Sequence, residues 1–166
     1  MKTTIWFASN NKNKILELKN YFANYGFTIK SLLDLDSGFD IEEDGNTYRE
    51  NALIKAKTLY SYLLKNKIDD QNYVVIADDT GLEIECLNNF PGIYSNRWKK
   101  DLTFVEAMQI IIKKMENCNN RKAKMITTIV CINRNITKSF TAILNGLIVK
   151  KIKDSNGFGY DPFFYL

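Results

Sequence analysis

Histidine is absent from this sequence of 166 residues. Its absence excludes a Ser-His or Cys-His catalytic pair, a histidine-containing zinc site and any imidazole proton transfer within the chain. Cysteine is scarce as well. Cys86, Cys118 and Cys131 are odd in number, far apart and form no CxxC, so they read as reduced thiols and not as a disulfide or metal framework. Only two prolines and eight glycines, beside 45% hydrophobic and 25% charged residues, exclude a collagenous or disordered chain. No apolar run approaches the roughly 18 residues of a membrane helix, and residues 1–10 lack the layout of a signal peptide, so the expected location is the cytoplasm, with no membrane partner. Charge of one sign is barely in excess: 23 Lys and Arg against 19 Asp and Glu leave +4, which suits an anionic partner without demanding nucleic acid.

What is present suits one domain spanning residues 1–166. At this length folding hides on the order of 70% of the surface of the unfolded chain, enough for a core without staples. Residues 3–8 are β-branched and aromatic and predict a strand, residues 9–13 a polar loop. Ile15, Leu18, Tyr21, Phe22 and Tyr25 then recur at helical spacing, Gly26 stops the helix, and residues 27–31 predict a second strand. This order favours a parallel crossover and so an α/β sheet. A helix is predicted over 47–65, with Tyr48, Ala52, Ala56, Leu59 and Leu63 as its apolar stripe and a capping box from Thr47 to Glu50. Residues 74–77 predict a short buried strand ending at Asp78-Asp79-Thr80-Gly81, followed by an alternating strand that puts Glu83 and Glu85 toward solvent. Residues 103–117 predict another helix, and 125–134, 139–145 and 147–153 the strands of a meander. The expected architecture is an elongated mixed sheet flanked by helices, in two lobes with a central cleft.

Two groups of residues suit chemistry. The loop Ser9-Asn10-Asn11-Lys12-Asn13-Lys14 joins a buried strand to a helix, where outward N–H groups and two lysines favour an anion. It lacks the glycine pattern of a P-loop, and it reads equally as a capped helix with solvated lysines. The acidic segment Glu42-Glu43-Asp44 and the pair Asp78-Asp79 supply the hard oxygen donors that Mg²⁺ prefers. Adjacent carboxylates at a strand end repel unless a cation or strong donors face them, and strand C-termini are where α/β folds bind ligands. Lys55, on the same helix as Glu50, reads on its own as solvated, and Trp6 and Trp98 as packing residues.

Together these stretches resemble the Ham1 family of inosine triphosphate pyrophosphatases. The matching blocks are Phe7-Ala8-Ser9-Asn10-Asn11-Lys12-Asn13-Lys14 with Glu17, Glu42-Glu43-Asp44-Gly45-Asn46-Thr47-Tyr48-Arg49-Glu50-Asn51-Ala52 with Lys55-Ala56, Ala77-Asp78-Asp79-Thr80-Gly81-Leu82 through Phe90-Pro91-Gly92-Ile93-Tyr94-Ser95-Asn96-Arg97, and Gly157-Phe158-Gly159-Tyr160-Asp161-Pro162. The resemblance implies a Ham1-like fold with a nucleotide in the cleft. It also implies hydrolysis of non-standard, deaminated purine nucleoside triphosphates (ITP, dITP, XTP) to the monophosphate and pyrophosphate, in a Mg²⁺-dependent cytoplasmic homodimer that cleanses the nucleotide pool. By position, Ser9, Asn11 and Lys14 would hold the triphosphate with Lys55 near it. Glu42 and Asp79 would hold Mg²⁺, and Asp79 with Asp78 would orient or deprotonate the attacking water. Thr80 would contact phosphate, and Phe158, Gly159, Tyr160 and Asp161 would flank base and sugar. Such a step needs charge neutralisation and an in-line water, and no histidine.

The sequence departs from the family at three places. Asn10 stands where glycine is usual, and asparagine is the side chain that best tolerates a left-handed turn. Thr80 stands for the commoner serine and keeps the hydroxyl. Family members continue past the equivalent of Leu166 with a lysine and a Ser-His-Arg segment that contact the purine. An alternative expectation is therefore a truncated, catalytically weak member that binds nucleotide or a partner without efficient turnover.

Overall fold

Thr4–Phe7 (β1) is buried at all four residues and is paired with a strand on each edge. In a computed structural model that describes residues 3–35, 39–68, 72–99, 101–152 and 159–166, Thr28–Ser31 (β2) runs parallel to β1 in the register Thr4↔Thr28 to Phe7↔Ser31. Tyr73–Ile84 (β3) runs parallel on the other side, from Thr4↔Tyr73 to Phe7↔Ile76. Parallel neighbours need crossovers. Lys12–Phe22 (α1) links β1 to β2, and Tyr48–Lys65 (α2) precedes β3. The remaining elements are Phe90–Gly92 (β4), Ser95–Trp98 (α3), Phe104–Lys114 (α4), Lys122–Ile132 (β5), Thr137–Ile148 (β6) and Phe164–Tyr165 (β7). The hydrogen-bonded order is β2-β1-β3-β5-β6-β7, with β4 antiparallel to β3. The fold is thus α/β with a mixed sheet and flanking helices, as the sequence predicts.

The chain divides into two compact units, Met1–Asp79 with Thr128–Thr141 and Thr80–Thr127 with Ala142–Leu166, the divisions falling inside β3, β5 and β6. In the first unit the stripe Ala52, Ala56, Leu59 and Leu63 of α2 is fully buried against Trp6, Ala8, Val75, Ala77 and Val130. Its spacing of four, three and four residues keeps one helix face inward. Trp6 is a packing residue, with the Lys30 ammonium 5.0 Å from its ring centre. The second unit gathers Leu82, Ile84, Met108, Ile111, Met115, Ile148 and Phe163. There α4 starts with a full capping box: Thr103 accepts from the Glu106 N–H at 3.2 Å, and the Glu106 carboxylate accepts from the Thr103 N–H at 2.8 Å. Arg121 donates to the carbonyls of Ile148, Met115 and Val149 at 3.0, 3.2 and 2.8 Å, tying the end of α4 to that of β6.

Four sequence-based expectations change. Asp78-Asp79-Thr80-Gly81 does not end a short strand; it lies inside the twelve-residue β3, because strand preference yields to burial and neighbours. Glu85 opens a short 3₁₀ turn, and Glu83 is not free on a solvent face but pairs with Lys124 at 3.0 Å. Residues 139–148 do not break at Asn145-Gly146; both lie within β6. Gly146 serves close approach, since a Cβ there would overlap the Tyr165 carbonyl and meet the Phe164 ring at 2.6 Å, in the stretch where β7 pairs with β6. On α1 only Ile15 is buried; Tyr21 and Tyr25 stay exposed and stack on each other at 6.0 Å. The expected stop at Gly26 holds, with φ of +74°.

Candidate active site

The last printed pairing of β1 with β3 is Phe7↔Ile76, and the Ala8 N–H still reaches the Ile76 carbonyl at 2.8 Å. The loop leaving β1 therefore emerges level with Asp78, two residues on. That loop shapes itself through its own side chains. The Asn11 N–H donates to Ser9 Oγ at 3.1 Å, and Asn11 Oδ1 accepts from the N–H groups of Asn13 and Lys14 at 3.0 and 3.3 Å. Asn11 is the N-cap of α1. Asn10 does not take a left-handed conformation; among described non-glycine residues only Lys67, Asn88 and Asn89 have positive φ. The loop is held by caps, so the glycine usual at this position is not needed for a left-handed turn. With α1 started in this way and Ile15 buried, Lys14 in the first turn reaches Asp78 Oδ2 at 2.5 Å.

Residues 41–46 alternate in burial: Ile41, Glu43 and Gly45 are half-buried, and Glu42, Asp44 and Asn46 are exposed. Extended chain turns successive side chains to opposite sides, so only one of two adjacent glutamates can face inward. It is Glu43, whose carboxylate lies 3.2 Å from Lys55 Nζ. Glu42, expected as a metal ligand, is exposed, and Glu43 is the glutamate that lies beside Lys55 and near Asp79. Lys55 is not a solvated lysine; its side chain is 12% exposed and its ammonium lies 3.9 Å from Asp79 Oδ1. The start of α2 supports this placement. Thr47 caps the Glu50 N–H at 3.1 Å, while the Glu50 carboxylate accepts from the Asn46 N–H at 2.7 Å, one residue before the partner a capping box would use.

Asn51 was not among the expected site residues, and it is fully buried at the centre of this group. Its Nδ2 donates to Asp79 Oδ2 at 3.1 Å and its Oδ1 accepts from the Gly45 N–H at 2.9 Å. A sequence signal did exist: Asn51 and Lys55 are four apart on one helix, and so share a face beside the apolar stripe. Asp79 is nearly inaccessible, and burial pushes its carboxyl up to about 6. Lys55 and the Asn51 hydrogen bond pull in the other direction, while the charges of Glu43 and Asp78 add to the rise.

The first unit thus brings together Lys14, Glu43, Asn51, Lys55, Asp78 and Asp79, with Ser9 and Asn11 in the loop before Lys14. Three carboxylates face two ammonium groups, an oxygen-rich set suited to a hard cation. Among the described residues no group of three or more acidic, cysteine or histidine side chains is arranged to enclose a metal by itself. A Mg²⁺ ion fits only the other known arrangement, one or two carboxylates completed by water and phosphate oxygens. The remaining expected residues belong to the second unit. Thr80 has its hydroxyl 3.0 Å from that of Thr127. Gly159 adopts φ of +63° and Asp161 is exposed. Tyr160 does not present a free ring; it packs edge-on to Phe104 and against Phe163, both at 5.6 Å. Phe158, like Gly157, lies outside the described residues.

Residues 5–166 match the model of the Ham1 family. The chain is 41% identical over 165 residues to the dITP/XTP pyrophosphatase of Thermoanaerobacter pseudethanolicus, covering 98% of this chain and 79% of that protein. It is 38% identical over 164 residues to the dITP/XTP pyrophosphatase of Staphylococcus aureus, with 98% and 79% covered. The solved structure of the Staphylococcus aureus Ham1 protein superposes with a TM-score of 0.81 at 34% identity, covering 98% of this chain and 81% of that one. A Ham1 protein from Coxiella burnetii does so at 0.78 and 30%, covering 100% and 82%. With a family match spanning nearly every residue and a fold shared with solved members, this chain belongs to the Ham1 family.

Proposed function

We propose that the chain hydrolyses deaminated purine nucleoside triphosphates, ITP, dITP and XTP, to the nucleoside monophosphate and pyrophosphate, and so cleanses the nucleotide pool. The observation that carries this reading is the buried Asp78-Asp79 pair faced by Lys14 and Lys55, a charge arrangement built for a polyanion and a water. Relatives named dITP/XTP pyrophosphatase support the choice of substrate.

In this reading a water attacks the α-phosphorus, a new P–O bond forms there, and the α–β bridging bond breaks with pyrophosphate as leaving group. The water's proton passes to Asp79, whose carboxyl, raised by burial, suits a base working near neutral pH. Lys14 uses one N–H on Asp78, and an ammonium carries three donors, so two remain for phosphate oxygens. Lys55, already poised between Glu43 and Asp79, neutralises charge on the leaving group. The Ser9 hydroxyl, beside the start of α1, donates to another phosphate oxygen, since the N–H groups of Asn11, Asn13 and Lys14 already donate to Ser9 Oγ and Asn11 Oδ1. Glu43 and Asp79 would hold Mg²⁺, which supplies further neutralisation of the phosphates. The same reading places the enzyme in the cytoplasm as a homodimer; among the described residues no helix is long and apolar enough to cross a membrane.

Incubation with dITP and Mg²⁺, with pyrophosphate and orthophosphate assayed separately, tests it. Pyrophosphate is expected, with kcat lowered about 10²–10⁴-fold in Asp79→Ala and turnover lost in EDTA. Orthophosphate alone, or full activity in Asp79→Ala, rejects the reading. Calorimetric binding of ITP without any product would favour a nucleotide-binding member that has lost turnover.

A further inference from the structure

We infer that Asn51 is a positioning residue that locks the Glu43 segment and Asp79 into one relative placement, and that this placement sets metal affinity and kcat while leaving nucleotide affinity alone. The role presupposes the pyrophosphohydrolase reading above. The geometry allows the amide of Asn51 only one orientation. A backbone N–H must donate, so the atom facing Gly45 is the amide oxygen; an ionised carboxylate only accepts, so the atom facing Asp79 is the amide nitrogen. One side chain, fully buried and carried by the rigid helix α2, thus ties the backbone two residues after Glu43 to one oxygen of Asp79. The other oxygen, Oδ1, faces Lys55.

Gly45 is the second half of the device. A Cβ there would lie 2.7 Å from Asn51 Oδ1, 2.8 Å from Glu50 Cβ and 2.9 Å from the Asn51 backbone nitrogen. The segment runs so close to α2 that only glycine fits. A side chain at 45 would press on the Asn51 amide and on α2 and so push the Glu43 segment off the helix, with Asn51 and Asp79 themselves unsubstituted. Glu43 and Asp79 come from segments far apart in sequence, and neither is bonded to the other. Two contacts span them: the Lys55 ammonium, 3.2 Å from Glu43 and 3.9 Å from Asp79, joins the side chains, and the paired hydrogen bonds of Asn51 fix the backbone after Glu43 relative to Asp79. Partners of metal-binding carboxylates have effects of this kind, about 10–100-fold in affinity or activity.

The test compares Asn51→Ala and Gly45→Ala with the unaltered chain, by dITP turnover and by electron paramagnetic resonance titration of Mn²⁺ in the presence of a non-hydrolysable α,β-methylene dITP analogue. In both variants the Mn²⁺ midpoint is expected to rise about 10–100-fold and kcat to fall over a similar range, with KM for dITP nearly unchanged. Circular dichroism melting identifies a variant that does not fold. If Asn51→Ala fails in this way, Gly45→Ala decides, since it keeps every side-chain hydrogen-bonding group. A folded variant with an unaltered Mn²⁺ midpoint overturns the inference, as does a loss confined to KM. No pyrophosphate from the unaltered chain rejects the proposed function instead. In that case the Mn²⁺ titration still decides: a midpoint raised in the variants supports the link, and an equal midpoint, or no Mn²⁺ bound at all, overturns it.

Discussion

The two units bury different kinds of residue. The first core holds four alanines, Ala8, Ala52, Ala56 and Ala77, where the second holds one, Ala123. Of the buried polar residues among those described, Thr4, Ser31, Asn51, Asp78, Asp79 and Thr128 lie in the first unit and Ser95 alone in the second. Small core residues bring α2 and the strands close together. That proximity lets Asn51 reach both Gly45 and Asp79, and lets Lys55 reach Glu43. Buried carboxylates cost stability in return. The second unit gathers mostly leucine, isoleucine, methionine, tyrosine and phenylalanine, its main helix is fully capped, and its ion pair Lys124–Glu83 is half-buried, the Glu83 side chain being 15% exposed. The polar group around Asp79 lies in the first unit, and the second is packed mainly with large apolar side chains.

This contrast can be broken by four measurements. The largest effect is expected in the second unit, where Ile111→Ala, at a fully buried position, should lower the unfolding free energy by about 2–5 kcal/mol in urea titration. A loss below that range would mean the second core packs loosely and the contrast fails.

Next comes Asp79→Asn, of opposite sign. The folded-state carboxyl is raised from 3.8 to about 6, so the folded chain binds this proton more tightly than the unfolded chain does. Ionisation therefore opposes folding. The penalty is absent below the ordinary carboxylate range, grows between about 4 and 6, and is complete above that. In EDTA at pH 7.5 the variant should be more stable by about 1–3 kcal/mol, with the difference closing by pH 4. Equal stabilities at pH 7.5 would show that Lys55 and Asn51 fully offset the burial of Asp79.

A smaller change is expected from Thr103→Ala, which removes the N-cap of α4. It should cost ~1 kcal/mol in the same titration and leave dITP turnover intact. Turnover lost along with stability would mean that the second unit is not merely a packing unit. The smallest is Lys124→Met. The Lys124 side chain is 36% exposed while that of Glu83 is 15% exposed, so loss of this half-buried pair should lower the unfolding free energy by up to about 1 kcal/mol, and more at low salt than at high. A larger shift would place an electrostatic load in the second unit as well.

Periodicity and local signals made the first unit's elements legible. The stripe on α2, the stop at Gly26 and the strand, loop, helix, strand order of the first 31 residues all reappear in the structure. Polar composition misled in the middle of β3. Asp78-Asp79-Thr80-Gly81 reads as a strand end, but ladder pairing and burial outweigh local preference there. At Gly146 the same signal reads as a turn and proves to be room for β7.

Asp78 and Asp79 are marked as candidates by charge and position and Lys14 by its place in a polar loop before a helix, whereas Lys55, which reads on its own as solvated, is marked by the family resemblance. Residue type and helix or strand period suffice for the first three, because both are properties of short stretches of chain. The choice of Glu43 over Glu42, the burial of Lys55 and the two-way hydrogen bonding of Asn51 depend on which segments meet. Meeting is decided by core packing between residues far apart in the chain, such as Ala52 and Ala56 against Ala8 and Ala77. The absence of histidine left carboxylate, ammonium and metal chemistry open from the start; only the tertiary structure decided which carboxylates and which ammonium groups face one another.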